Sequence, residues 1–145
     1  MTKKKTEKNP LRYYTGTKTL LAKVLTLGDY NAYRDWDMPD DEDAETEGYL
    51  VEYLDGGKAN HKEHSGYISW SPKEQFDNAY VESGTAKQRV ESELLQLQGK
   101  TTDLIKFKHS KKYEALSKIQ QRFLRIQLAA MKNYADVLEQ RIHIW

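Results

Sequence analysis

The residues best suited to chemistry are basic side chains near the C-terminus, which recur along one side of a predicted helix. Lys118, Arg122, Arg125 and Lys132 follow helical spacing, and no carboxylate falls between the first and the last of them. A guanidinium group makes bidentate contacts with phosphate and also stacks on nucleobases, so Arg122 and Arg125 are the strongest candidates for a binding role. These four residues, called here the basic stripe, predict a surface that binds phosphate or another anion.

The two signs of charge are sorted along the chain although the net charge is only +1. Residues 106–132 contain eight Lys and Arg residues against a single carboxylate, Glu114, whereas residues 35–55 contain ten carboxylates and no Lys or Arg. One interpretation is that both segments are solvated faces that attract each other within or between subunits. The other is a phosphate-binding surface. A chain that carries its own acidic segment would repel an extended nucleic acid, so a compact ligand with two or three phosphates suits the basic segment better.

Other chemical signatures are weak. The chain has no cysteine, no Gly-rich phosphate loop and no nucleophile elbow. The histidines of His61-Lys62-Glu63-His64 lie in a predicted loop without the helical spacing of a zinc protease, and Asp40 to Asp43 lack the glycine and final glutamate of an EF-hand. We therefore expect no catalytic residues, no metal site and no cofactor, and a protein that is not an enzyme.

Several aromatic residues allow either base stacking or core packing: Trp36, Trp70, Phe76 and Tyr80. Large aromatic residues in strands and helices commonly supply core burial, which favours packing for Trp70 and Phe76. Trp36 lies between Asp35 and Asp37, and this polar context favours exposure.

The basic stripe must be positioned by a long C-terminal helix that also carries two apolar stripes. The first apolar stripe consists of Leu124, Leu128, Met131, Ala135, Leu138, Ile142 and Trp145, and the second of Ile119, Phe123, Ile126, Ala130 and Val137. A preceding helix repeats Val90, Leu94, Leu97, Thr101 and Leu104 at heptad-like spacing. Two long helices with a short turn, 107–112, must fold back as an antiparallel hairpin. One stripe then faces the hairpin partner, and the other is predicted to face a neighbouring subunit.

Local signals set the predicted ends of these helices. Thr85 with Gln88, and Ser117 with Gln120, are capping boxes. Gly99 interrupts the first helix at a cost of about 1 kcal/mol relative to Ala, which predicts a close helix crossing or a bend.

The N-terminal part has the alternation and turn chemistry of a small β-rich module. Strands are predicted at 18–25, 49–54 and 67–70, with a helical turn opened by Thr26 and an acidic loop at 37–47. Ser71 as N-cap and Pro72 as first helical residue predict a short helix after the third strand. We expect an α+β chain with a disordered arm at 1–14, a module with a small antiparallel sheet and short helices at 15–83, and an oligomerising helical hairpin at 85–145.

Three segments also carry a family resemblance. GYLVEYLDGG and GYISWSPKEQFDNAY resemble the N-terminal module of small tailed-phage proteins, and FKHSKKYEALSKIQQRFLRIQLAAMKNYADVLEQRI is similar to the helical hairpin shared by phage anti-CBASS cyclic-oligonucleotide sponges and Thoeris anti-defence proteins. The resemblance implies a phage-encoded sponge in the host cytoplasm that binds a cyclic ADP-ribose isomer or a cyclic di- or trinucleotide without cleaving it. It also implies a homo-oligomer, a dimer or hexamer, with ligand between protomers. Chemistry within the matching segments and nearby selects these candidate ligand-binding residues: Arg34, Trp36, Trp70, Phe76, Arg89, Lys106, Arg122 and Arg125.

Two other functions remain open at this point. One is a phage interaction or assembly protein whose hairpin serves only to oligomerise and whose sorted charges are complementary between subunits. The other is a DNA- or RNA-binding regulator. The sequence shows no secretory signal and no apolar run near the roughly 20 residues that span a membrane, so we expect a soluble protein without a membrane partner.

Overall fold

The architecture is α+β, as predicted, and was obtained as a computed structural model that describes residues 10–145. Contacts divide the chain into two compact units, with the boundary between Ala79 and Tyr80. Unit 1 contains β1 (Leu20–Val24), α1 (Leu27–Tyr33), β2 (Gly48–Tyr53), β3 (Ile68–Pro72) and α2 (Lys73–Ala79). Unit 2 contains α3 (Ala86–Lys108), α4 (Lys111–Glu114) and α5 (Lys118–His143). Most of the predicted arm, residues 1–9, lies outside the described residues, and residues 10–14 have neither helix nor strand.

Unit 1 is built on a three-stranded antiparallel sheet in the order β1-β2-β3. The β1 residues Leu20 and Val24 pair with Tyr53 and Tyr49, so β2 is the central strand. The three predicted strands are confirmed, and each of their ends is shifted by one or two residues.

The core of unit 1 lies between the sheet and α1. Tyr30 of α1, Leu50 of β2 and Ile68 of β3 form its buried cluster, and Ile68 is only 1% exposed. The helix begins where predicted, because the Thr26 hydroxyl accepts a hydrogen bond from the Asp29 N–H at 3.2 Å. This cap sets the entry of α1 onto the sheet and places Tyr30 over the core.

The predicted start of α2 at Ser71 and Pro72 is wrong. Both residues belong to β3, where Pro72 pairs with Gly48, and α2 begins at Lys73. Proline has no N–H to donate to a neighbouring strand, and it is tolerated in an edge strand such as β3, where one side of the backbone has no neighbouring strand. Pairing with the central strand therefore outweighs the local helix-start signal.

Unit 2 is a helical hairpin in which α3 packs against α5. Both capping predictions locate helix starts correctly: Thr85 and Gln88 form a complete capping box, and the Ser117 side chain accepts from the Gln120 N–H. Since residues 109–117 are the only connection, the two helices run antiparallel. Packing buries Leu128 and Leu138 of the first apolar stripe together with Val90 and Leu104 of α3.

The second apolar stripe is exposed along its whole length. Ile119, Phe123 and Val137 are 62%, 60% and 57% exposed. Trp145 departs from the first stripe, since it lies beyond the end of α5 at 55% exposure, near the Arg141 guanidinium. The division of α5 into one covered and one uncovered apolar face thus follows the predicted stripes.

Two details of the hairpin differ from expectation. Helix α3 runs without a break through Gly99. Apart from the adjacent residues and the backbone of α3 itself, no atom of the described chain lies within 4 Å of where a Cβ would stand there, so the predicted close crossing is wrong. The predicted turn also contains a short helix, α4, capped by Ser110. No helix in residues 10–145 is long and apolar enough for a membrane span.

Candidate anion-binding site

The bend of the hairpin concentrates positive charge on three successive helices. Lys106 and Lys108 lie in the last turn of α3, Lys111 and Lys112 open α4, and Lys118 opens α5. Helix α5 has no acidic residue in its first turn, so nothing there offsets the positive end of its dipole. Arg122 and Arg125 continue the same positive surface one to two turns further along α5. We call residues 106–132 that carry these charges the basic surface.

The conformation of the bend is fixed by a buried amide. Gln121 is 9% exposed, and its side-chain nitrogen donates to the carbonyls of Tyr113, Glu114 and Leu116 at 3.1, 3.3 and 3.2 Å. These three carbonyls end α4 and precede α5. The Gln121 side chain therefore connects α5 to the end of α4, and both helices carry cations of the basic surface.

Arg125 is held by an aromatic partner that the sequence did not indicate. Its guanidinium donates to the Tyr113 hydroxyl at 3.3 Å, and Tyr113 packs edge-on against Phe107 with ring centroids 6.1 Å apart. The neutral phenol orients the guanidinium without cancelling its charge. The signal that could have identified Tyr113 is the Ser110 cap three residues earlier, which accepts from the Tyr113 N–H.

The cations of the basic surface have no carboxylate partner in the described part of the chain. Ion pairs within 4.0 Å join Lys18 to Asp55, Glu52 to His64 and Lys73 to Glu47, all in unit 1. Of the eight cations, only Lys108 is half-buried and the others are exposed. A concentration of unpaired positive charge raises the local potential for a diffusing anion.

Of the predicted site residues in unit 2, three lie on or beside the bend. Arg122 and Arg125 are one turn apart on α5, and Lys106 is near the end of α3. Arg89 is different, because it lies at the opposite end of α3 and donates to the carbonyls of Ser83 and Gly84, both at 3.3 Å. The hairpin thus groups Lys106, Arg122 and Arg125 at its bend end and leaves Arg89 at the other.

In unit 1, two further predicted residues are brought together. The Arg34 guanidinium lies 4.3 Å from the centroid of the Trp36 ring and donates to the Tyr30 hydroxyl at 3.1 Å. Trp36 is 52% exposed, in agreement with its polar sequence context, and meets Tyr30 edge-on. Between them lies Asp35, whose positive φ of 56° turns the chain so that the two side chains meet.

The remaining two predicted residues are engaged in packing. Trp70 lies against the core of unit 1, and its indole N–H donates to the Leu25 carbonyl at 2.8 Å. Phe76 of α2 stacks on Tyr49 of β2 with ring centroids 4.1 Å apart. Both positions agree with the core-packing interpretation of these aromatics.

A polar cluster around Tyr33 has no counterpart in the sequence prediction. The Tyr33 hydroxyl lies 2.7 Å from His64 Nε2 and 3.1 Å from a Glu63 oxygen, while His64 Nδ1 contacts the buried Glu52. His61 stacks on the Tyr33 ring at 4.4 Å. Burial raises the pKa of the Tyr33 phenol above its ordinary 10.0, and the hydrogen bond to Glu63 and the nearby carboxylate charges raise it further.

This cluster joins α1, β2 and the loop before β3. In the described residues, no group of three or more His, Asp and Glu side chains has a geometry suited to a metal ion. The contacts of the cluster hold the loop before β3 against α1 and the sheet. The raised pKa keeps the Tyr33 phenol protonated at neutral pH, which makes it a poorer nucleophile.

Comparison with known families gives one match, and it falls on unit 2. Residues 84–144 match the family model described as Sequestin. The matched stretch is less than half of the chain, contains the whole hairpin and carries the basic surface. No curated protein and no solved structure matches the chain. The match is compatible with a sequestering protein that binds a small molecule, and it suggests a binding role rather than a catalytic one.

Proposed function

We propose that this protein is a sponge that binds and sequesters a cyclic nucleotide immune signal without degrading it. The observation that carries the proposal is the basic surface, whose cations are unpaired within the described chain and lie in the same residues that match Sequestin. The ligand is a cyclic ADP-ribose isomer or a cyclic di- or trinucleotide, in keeping with the phage anti-defence resemblance of the hairpin. The protein then acts in the cytoplasm of the infected host.

Local geometry favours a compact anion. All of the unpaired cations of the basic surface except Lys132 lie toward the bend end of the hairpin, so a ligand with two or three phosphates reaches several of them at once, whereas a long polyanion would extend past them. Arg122 and Arg125 are the proposed phosphate contacts, with Lys106 supplying further positive charge. Sequestration of this kind needs tight binding and abundance only, because free ligand is lowered by mass action.

The second apolar stripe supports the homo-oligomer that the proposal includes. An uncovered apolar face of this length on one helix is typical of an interaction surface. The stripe is also nearly palindromic about Leu128, because Ile119 and Val137 are equally distant from it, as are Ile126 and Ala130. Two copies of α5 packed antiparallel would place Ile126 of each copy against Ala130 of the other. This arrangement leaves the basic surface at both ends of the paired helices.

The test is a ligand screen on the purified full chain. We expect a cyclic ADP-ribose isomer or a cyclic di- or trinucleotide to raise the melting temperature, since a ligand at 100 times its dissociation constant adds about 2.7 kcal/mol of stability. Heating the complex should release the same nucleotide intact, as judged by mass spectrometry. A hydrolysed product would indicate an enzyme, and no stabilisation by any of these nucleotides would refute the sponge.

Charge reversal tests the site itself. The double variant Arg122→Glu and Arg125→Glu should abolish nucleotide binding in isothermal titration calorimetry while the oligomeric state, measured by light scattering, is unchanged. The double variant Lys87→Glu and Lys100→Glu is the matched control, because it makes the same change of charge at two exposed positions of α3. Loss of the oligomer in the double variant, or equal loss of binding in the control, would contradict the assignment.

The exposed stripe also favours the second candidate function, an interaction or assembly protein. In that case the protein would oligomerise and bind no nucleotide in the screen. A nucleic-acid regulator would instead bind arbitrary duplex DNA with an affinity that falls steeply with salt.

A further inference from the structure

A groove between α3 and α5 offers chemistry that the basic surface lacks. Its volume is about 370 Å³. The short side chains of Thr101, from α3, and Ala135, from α5, are among its lining residues. Six of its seven lining residues have polar side chains: Gln98, Thr101, Thr102, Lys132, Asp136 and Glu139. The groove combines one cation, two carboxylates and two hydroxyls in a single opening.

The three charged side chains share one side of α5. Lys132 and Asp136 are four residues apart and Asp136 and Glu139 three, spacings that put neighbours on the same helix face. In residues 10–145 none of the three makes an ion pair within 4.0 Å, although Lys132 and Asp136 have the spacing for one. Their charges are left to solvent or to a ligand.

The groove contains two hydroxyl groups, those of Thr101 and Thr102. Thr101 donates to the Leu97 carbonyl at 2.7 Å, so its oxygen remains an acceptor facing outward from that bond. Thr102 is exposed on the next position of α3. Together with Asp136 and Glu139, the groove therefore offers more acceptors than donors.

The presence of both one cation and two carboxylates in the groove limits the class of ligand that fits it. Two carboxylates repel a bare phosphate, and Lys132 disfavours a simple amine. Carboxylates do accept hydrogen bonds from sugar hydroxyls, the role an acidic residue has toward ribose in dinucleotide-binding folds. A molecule with vicinal hydroxyls and one phosphate satisfies both signs of charge.

We propose that the groove is a subsite for a ribose phosphate, in which Asp136 and Glu139 accept hydrogen bonds from vicinal hydroxyls and Lys132 contacts the phosphate. This inference rests on the proposed function and narrows its ligand to a nucleotide whose ribose keeps free hydroxyls. Lys132 belongs to the basic stripe, seven residues or roughly 10 Å along α5 from Arg125. One nucleotide-sized ligand therefore reaches both the groove and Arg125.

The experiment titrates the isotope-labelled full chain with ribose 5-phosphate, 2-deoxyribose 5-phosphate and inorganic phosphate, each up to about 10 mM, and follows backbone amide shifts by NMR. Ribose 5-phosphate should shift the amides of Thr101, Thr102, Ala135 and Asp136. It should bind about tenfold more tightly than the deoxy sugar, because the deoxy sugar lacks one hydrogen bond to a charged acceptor. Equal affinity for the two sugars, or no shift at these amides, would overturn the subsite.

Variants separate the groove from general charge effects. Asp136→Asn and Glu139→Gln should each weaken ribose 5-phosphate binding by about tenfold and leave binding of the deoxy sugar less affected. Asp103→Asn is the control, since it neutralises an exposed carboxylate of α3 that does not line the groove. An equal effect of the control would refute the assigned hydrogen bonds.

Failure of this inference is distinguishable from failure of the proposed function. If a cyclic nucleotide stabilises the chain without shifting the groove amides, the sponge stands and the subsite is wrong. If ribose 5-phosphate binds the groove while every cyclic nucleotide fails, the subsite stands and the sponge is wrong.

Discussion

Replacing Leu138 by alanine tests which face of α5 holds the hairpin together. Leu138 is 1% exposed, the most buried side chain of unit 2. The change removes three buried carbons, at about 0.8 kcal/mol each, or about 2.4 kcal/mol of lost transfer energy. The cavity that remains adds to this, because the two helices relax only partly, and the expected loss of unfolding free energy is about 3 kcal/mol.

The neighbouring residue supplies a matched control. Val137 is 57% exposed on the second apolar stripe, so Val137→Ala removes carbons that are mostly in contact with water in one chain. Its cost in dilute solution should be below about 1 kcal/mol. At high protein concentration the cost should grow if the second stripe lies in an oligomer, because its burial then depends on association.

The assay is urea unfolding followed by helical circular dichroism, at two protein concentrations well apart. Helices α3 and α5 contribute 23 and 26 residues, so the signal reports mainly on unit 2. If Leu138→Ala leaves the hairpin unfolded in buffer, Leu138→Val gives a graded loss. Equal losses for Leu138→Ala and Val137→Ala in dilute solution would refute the assignment of buried and exposed faces.

Two further predictions concern unit 1, and a third concerns a glycine of unit 2. Glu63→Gln should lower the pKa of Tyr33 toward its ordinary value, because it removes one of the charges that raise it, as measured by NMR of labelled tyrosine against a Tyr33→Phe reference. In the native protein the raised pKa contributes stability that is present below pH 10.0 and lost as pH rises through the folded-state pKa. Because the pKa of Tyr33 is less raised in the variant, the variant should lose less stability as the pH rises through this range. Gly48→Ala should destabilise unit 1 by more than about 2 kcal/mol in thermal unfolding, since its Cβ would collide with the Trp70 ring and the Ser71 carbonyl. Gly99→Ala should instead stabilise α3 by about 1 kcal/mol, because its Cβ meets open space, and a loss of stability there would contradict the uncrowded position.

The sequence predicted the hairpin well because its determinants are local. A 3.6-residue apolar period and side-chain caps three residues from their partners act within one or two helical turns. Thr85 and Ser117 therefore marked helix starts that the structure retains. The sequence also predicted that one partner helix covers only part of the apolar arc, and the second stripe is uncovered within the chain. That a neighbouring subunit covers it stays a prediction.

The features that the sequence missed depend on residues far apart in the chain. Ser71 reads locally as a helix cap, but antiparallel pairing with Tyr49 places it in a strand. The contact of His64 with Glu52 and Tyr33 spans 12 and 31 positions, and no periodic pattern records it. Local propensity is a weak guide wherever a central strand competes for the same residues.

The two units also differ in how free their cations are to bind an anion. In unit 1 the cation nearest an exposed aromatic, Arg34, is already committed to Trp36 and Tyr30, and the adjoining segment is dense in carboxylates. An anion there would have to displace existing contacts and approach negative charge. In unit 2, Arg125 is oriented by a neutral phenol and Arg122 makes no ion pair in the described chain. Binding a phosphate at the bend breaks no ion pair, so the free energy of the new contacts goes into affinity. Electrostatics therefore favours the hairpin, the part of the chain that matches Sequestin, as the location of the proposed anion site.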